Sequence, residues 1–224
     1  MPRQPRVVLP KVPLHITQRG VDRCPTFLVD EDFAFYRRAL IDALAEARCA
    51  VHAYVLMTNH VHLLATPMDR EGPARMMRRI GVRYVRYFND RYRRSGTLWE
   101  GRFRSALVES PHHFFACSRY IEQNPVRARL ANDPQNYEWS SVHRNAYGRD
   151  DAVVSEHPLY SQLGVDLAAR TAEYRILLAT ALPTNMLADI RVAHRGRATM
   201  LRTPYRRAVA AVFGDAGLAA RGSP

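Results

Sequence analysis

At 224 residues, 47% of them hydrophobic, the chain can form one ordinary domain with a C-terminal appendage or two small domains, which excludes the disordered class. No apolar run approaches a membrane span, no signal peptide precedes the first strand-like segment, and three scattered cysteines (Cys24, Cys49, Cys117) exclude a disulfide framework, so a cytoplasmic protein is expected. A formal net charge of +12, nearly all arginine with Lys11 the sole lysine, points to a polyanionic partner, because basic groups displace counterions condensed on phosphates.

Residues 1–11 are basic and proline-rich and read as a flexible arm. Residues 12–18 (VPLHITQ) alternate and predict a first strand, closed by Arg19-Gly20. Asp30 or Asp32 caps a predicted helix running to about residue 48, with Phe33, Tyr36, Leu40, Ile41 and Leu44 at helical spacing. Residues 51–57 and 60–66 predict two strands joined at Thr58-Asn59 as a hairpin. Pro73 opens a helix reaching about residue 92, with Met77, Ile80, Tyr84, Val85 and Phe88 on one side and arginines over much of the rest. A fourth strand is predicted over 102–109, and Ser110-Pro111 starts a helix through residue 123, stopped by Asn124-Pro125. Beyond Pro134 the pattern is less regular, with helices at about 166–182 and 184–194 and a third near 204–213. The order β-α-β-β-α-β-α is that of a split βαβ unit on a small, mainly antiparallel sheet.

Two patterns bear chemistry. His60 and His62 are two apart on a predicted strand, so both imidazoles face one side while Val61 faces the core. Neutral imidazoles side by side suit a divalent metal; equally, they suit a solvated strand face. Tyr120 and Asn124 lie one helical turn apart, so a phenol and an amide oxygen share a face, with Gln123 the substitute if the helix frays before Pro125. A positioned phenol is a nucleophile in covalent catalysis, although a helical tyrosine is more often half-buried packing. His112 and His113 are adjacent on a helix and point apart. His15, His52, His143, His157 and His194 have no partner at a convincing spacing and read as structural or surface residues. No glycine-rich phosphate loop is present.

In order, the segments TQRG (17–20), HAYVLMTNHVHLL (52–64), RYVRYFNDRY (83–92), SGTLWEGRFRS (95–105), RYIEQNPVRA (119–128) and YEWSS (137–141) resemble the REP-associated tyrosine transposases, members of the single-tyrosine HUH group. The resemblance covers about residues 12–164, leaving 165–224 as a helical basic extension. It implies a ferredoxin-like α+β fold with helices on one or both faces of the sheet. It also implies Mg²⁺ or Mn²⁺ on His60 and His62 with Asn124 completing the shell, and cleavage of single-stranded DNA by Tyr120 through a 5′-phosphotyrosine link. Repetitive palindromic hairpins are the implied substrate, and a monomer is expected, with a dimer the alternative.

In that setting Arg19, Arg78, Arg79, Arg83, Arg86, Arg102, Arg104 and Arg127 are candidate phosphate contacts. Aromatics among them could stack on unpaired bases, although Tyr84 and Phe88 read as core and Trp99 as packing. Glu100 is expected to orient a ligand or an arginine. The tail arginines, including Arg191, Arg195, Arg197, Arg202, Arg206 and Arg207, are suited to a hairpin's phosphates. The chain departs from the family where glycine often follows NPVRA and Arg129 stands here. The competing reading is a DNA-hairpin-binding regulator that keeps the fold and does not cut; binding alone needs none of His60, His62, Tyr120 or Asn124.

Overall fold

The computed structural model describes residues 6–194. Four strands, β1 (Leu14–Arg19), β2 (Cys49–Met57), β3 (His60–Pro67) and β4 (Arg104–Leu107), form one sheet in the order β2-β3-β1-β4, with every neighbouring pair antiparallel. Helix α1 (Asp30–Ala47) crosses from β1 to β2, and α2 (Gly72–Tyr92) from β3 to β4. This is the split βαβ arrangement predicted, and the fold is ferredoxin-like α+β.

Alternation along the strands divides the core in two. Leu14, Ile16, Val61 and Leu63 face α1 and α2, where Tyr36, Leu40, Ile80 and Tyr84 complete a continuous apolar cluster. Ala53, Val55 and Leu64 face the opposite side and meet Phe114, Cys117 and Ile121 of α3 (Pro111–Glu122). Helices therefore cover both faces. The start of α1 is set by Asp32, whose carboxylate accepts from the backbone N–H groups of Leu28 and Val29 at 2.8 and 3.2 Å. Ser110 caps α3 by accepting from the His113 N–H at 3.1 Å, and Pro111 takes the first turn.

Asn124-Pro125 does not end the helical path. Gln123 keeps a helical backbone, and a further turn, α4 (Asn124–Arg127), follows directly. Pro125 fits because it stands in the first turn of α4, where its missing N–H is not needed. The path then stops at Arg129, held at φ +58°, the left-handed region that favours glycine.

Three further elements follow, α5 (Val142–Asn145), α6 (Pro158–Ser161) and α7 (Leu167–Ala179), and then α8 (Thr184–His194). The YEWSS segment straps the open edge of β2: Leu56 N–H donates to the Trp139 carbonyl and Ser141 N–H to the Tyr54 carbonyl, at 2.9 and 3.0 Å. The basic arm expected over residues 1–11 is fastened over its described part. Leu9 is buried, and Arg6 donates to the Phe103 carbonyl with its guanidinium 3.7 Å from the centre of the Phe103 ring. The helix predicted near 204–213 lies outside the described residues. No helix among the described residues is long and apolar enough to cross a membrane.

Candidate active site

The sheet face turned toward α3 carries the polar residues. In the β1–β3 register Arg19 stands opposite His60 and Thr17 opposite His62, so the two histidines point out beside one edge of α3. Their ring centres are 5.0 Å apart and the planes nearly perpendicular. Burial, then the neighbouring Arg19 charge, push the His60 pKa down to about 4, so its imidazole is neutral at physiological pH and available as a ligand. His60 Nδ1 lies 2.7 Å from Asn59 Oδ1, and His62 Nδ1 lies 2.9 Å from His15 Nε2.

Tyr120 enters from α3. Its ring centre is 5.8 Å from that of His62, edge to face, and the residue is buried. Arg127, seven residues on in α4, folds back over it: the guanidinium carbon sits 4.4 Å from the ring centre, and the same group donates to the Tyr120 carbonyl and to Gln123 Oε1. Burial is the main cause that brings the Arg127 pKa down, to about 10, which still leaves it a cation at neutral pH. Asn124 is buried one turn from Tyr120, and its amide nitrogen has no hydrogen-bond partner among the described residues. Gln123 is engaged elsewhere, donating to the Leu178 carbonyl at 2.6 Å. Together with Arg119, which donates to the Thr180 carbonyl, it satisfies exposed carbonyls at the end of α7.

His60, His62 and Tyr120 line one open cavity of about 410 Å³. Among the described residues five arginines border it, Arg19, Arg23, Arg102, Arg104 and Arg191, against one carboxylate, Glu100. Glu100 pairs with Arg19 at 2.5 Å, and that hydrogen bond holds its carboxyl below the usual range. Among the described residues no group of three or more His, Cys, Asp or Glu is placed to hold a metal ion. The two imidazoles of the cavity would hold a divalent ion only if water or substrate oxygens supplied further ligands, and Asn124, expected to complete the shell, is not among the residues that line it.

The family described as "Transposase IS200 like" matches residues 11–124, half of the chain. The chain belongs to the IS200-like transposase family. That makes it a member of a family of DNA-processing enzymes. A solved structure described as the REP-associated tyrosine transposase bound to a REP hairpin is similar in fold, with a TM-score of 0.56 and 19% identity. The similarity covers 70% of this chain and 93% of that one. No curated protein sequence matches the chain at a significant level.

In this IS200-like transposase the matched span runs from the arm through β1–β4 and α3 to Asn124, so it includes every element that supplies His60, His62 and Tyr120. Not all residues expected at the site come together there. Arg78, Arg79, Arg83 and Arg86 lie on α2, in the layer beyond the other face of the sheet. The amphipathic helix buries Met77, Ile80, Tyr84 and Phe88 inward and turns its arginines outward. There Arg79 pairs with Glu46 and Arg83 with Asp42 of α1, and Arg86 with Asp90. Tyr84 and Phe88 are core, as is Trp99. Tyr87 stacks on Phe35 with ring centres 3.9 Å apart, so it serves helix packing.

His15, expected as a structural or surface residue without a partner, is buried at 2% exposure and does have one: it is bonded to His62 and lies edge-on to Tyr120 at 5.9 Å. Strand alternation places His15, Thr17 and Arg19 on one face, which was the available signal; the register that sets His15 beside His62 was not. Arg23 and Asn59 also join the cavity without having been singled out as site residues, and Arg191 reaches it from α8. The other tail arginines, from Arg195 onward, lie outside the described residues. His52 is structural as expected, its two ring nitrogens satisfied by the Ser155 carbonyl and Thr66 Oγ1.

Proposed function

We propose that this transposase is a metal-dependent single-stranded DNA endonuclease and strand transferase that cuts and rejoins DNA at palindromic hairpins through Tyr120. One observation carries the reading: His60, His62 and Tyr120, from two different elements, meet on one cavity bordered by five arginines. A core tyrosine or a solvated strand face requires no such meeting, and a binding groove requires no nucleophile at its centre.

The cavity's chemistry fits a phosphodiester. Arg102 and Arg104 flank the site from the β4 side and Arg23 from the loop after β1, offering cations to a strand's phosphates. A divalent ion held by His60 and His62, with Asn124 as third protein ligand, would polarise a phosphoryl oxygen; magnesium prefers oxygen ligands, so the imidazole pair favours manganese. Tyr120 supplies the nucleophilic oxygen. Its bond to phosphorus forms as the bond to the 3′ oxygen breaks, and the proton the phenol gives up is matched by one taken up at the departing 3′ oxygen. A later 3′-hydroxyl reverses the step, so rejoining needs no nucleotide cofactor. The hairpin assignment is supported by the similar transposase described as bound to a REP hairpin. We place the protein in the cytoplasm and assign it a monomeric working form.

The test is incubation of labelled hairpin-bearing single-stranded DNA with Mn²⁺ or Mg²⁺. The expected result is a covalent protein–DNA adduct that disappears in Tyr120→Phe and with EDTA. An adduct that persists in Tyr120→Phe would overturn the assignment of the nucleophile. Tight hairpin binding without cleavage under either metal would establish a non-cutting regulator instead.

A further inference from the structure

A metal-binding imidazole must offer a bare lone pair, and which nitrogen is bare is decided by what the other nitrogen touches. At His60 the answer follows from Asn59. The Asn59 amide nitrogen donates to the Arg23 carbonyl at 2.8 Å, which fixes the amide's orientation and turns its oxygen to His60 Nδ1 at 2.7 Å. An amide oxygen only accepts, so the His60 proton resides on Nδ1 and its Nε2 is bare.

At His62 the corresponding partner is another histidine. His62 Nδ1 and His15 Nε2 are 2.9 Å apart, and the bond between them needs one proton, carried by one ring. Were it on His15, a neutral His62 would carry its own proton on Nε2 and be lost as a ligand to the cavity its ring lines. We propose that His15 is a positioning residue whose Nε2 accepts from His62 Nδ1–H, fixing the tautomer that presents the His62 Nε2 lone pair, as Asn59 does for His60. The inference rests on the metal-dependent reading above.

The surroundings suit that role. His15 comes from β1, an inner strand hydrogen-bonded on both sides by β3 and β4, so its ring is carried by a backbone held from both sides. It is 2% exposed, which removes competing water from the contact. Its ring also sits 5.9 Å from that of Tyr120, so one side chain packs against both the ligand and the nucleophile. His15 carries its own proton on Nδ1 in this arrangement.

Long-range ¹H–¹⁵N spectra of the metal-free wild-type protein read ring tautomers directly. The expected result is a protonated Nδ1 and a bare Nε2 for His62, and a bare Nε2 for His15; the opposite tautomer at His62 overturns the proposal. This measurement requires no substitution, so it stands even where a variant fails to fold. The second arm titrates Mn²⁺ alone, followed by the paramagnetic resonance signal of the free ion. His15→Leu is expected to weaken Mn²⁺ binding by about 10- to 100-fold, while His15→Gln, which restores an acceptor oxygen, recovers most of it. Equal affinity in wild type and His15→Leu, with a folded variant, overturns the proposal alone. No Mn²⁺ binding by wild type overturns the metal-dependent reading and the proposal with it, a result distinct from a loss confined to His15→Leu.

Discussion

Tyr120 is held by three contacts to its ring. His15 and His62 approach it edge-on, and the Arg127 guanidinium lies 4.4 Å from its centre while also binding the Tyr120 carbonyl. A desolvated cation over an aromatic ring contributes about 2 kcal/mol, and a charge-assisted hydrogen bond about the same again. Arg127 does not line the cavity, whereas Tyr120 does, so this energy bears on where the phenol points more than on DNA affinity. Arg127→Leu is therefore expected to lower the rate of adduct formation by about 10- to 100-fold, since 1.4 kcal/mol corresponds to tenfold. Hairpin Kd should change by less than about threefold. Arg127→Lys should recover little, because a lysine cannot stack flat and donate at the same time. Single-turnover rates beside binding isotherms make the test; a variant that loses affinity and keeps its rate would place Arg127 on the DNA instead.

At the scale of elements, α3 is positioned by a buried carboxylate on its far side. Glu122 is fully buried, accepting from Ser141 Oγ and Asn145 Nδ2 at one oxygen and from Tyr174 at the other, at 2.6, 2.8 and 2.7 Å. These bonds join α3 to the β2 strap, to α5 and to α7. Burial raises the Glu122 pKa from 4.5 to about 7, more than the three hydrogen bonds lower it. The folded chain thus holds a proton that the unfolded chain releases. The stability linked to that proton is fully present below pH 4.5 and is lost as pH rises to about 7, amounting to roughly 3 kcal/mol. Glu122→Gln removes the titration and keeps the acceptor oxygen, so the stability of the variant relative to wild type should rise by about that amount between pH 4.5 and 8. Urea unfolding across that range measures it, and parallel curves for the two proteins would refute the assignment. The elements themselves were largely legible in the sequence, because hydrophobic period separates helix from strand and Pro73, Ser110 and Pro111 mark helix starts. Pairing was not. Nothing local to His15 shows that Thr17 stands opposite His62, and nothing local to Glu122 shows that Ser141, Asn145 and Tyr174 converge on it. Long-range register and burial decide both.

Across the whole molecule, the +12 charge is not spread evenly in its effect. On the α3 side, among the described residues, five arginines and one carboxylate line the cavity. On the α1–α2 side, arginines are matched by the acids of α1, as in Arg79–Glu46 and Arg83–Asp42, and exposed pairs of that kind contribute about 0.2–1 kcal/mol each. The α2 helix looked like a nucleic-acid surface in the sequence because its basic face could be read and its acidic partners, more than thirty residues earlier in the chain, could not be placed against it. Counterion release separates the two surfaces experimentally. Each phosphate contact contributes about 0.7–0.9 to the slope of log K against log salt, so Arg102→Ala and Arg104→Ala should each reduce the slope of hairpin binding by nearly one, whatever the hairpin sequence. The double variant Arg79→Ala/Arg83→Ala should leave the slope within error of wild type, since the sheet stands between those positions and the cavity and salt screens exposed charges beyond about 8 Å. Its cost should fall on stability instead, by less than about 2 kcal/mol in total. Titrations of a fixed hairpin from low to physiological salt decide the matter: a slope reduced as far by the α2 variant as by the β4-side variants would place DNA on both faces of the sheet.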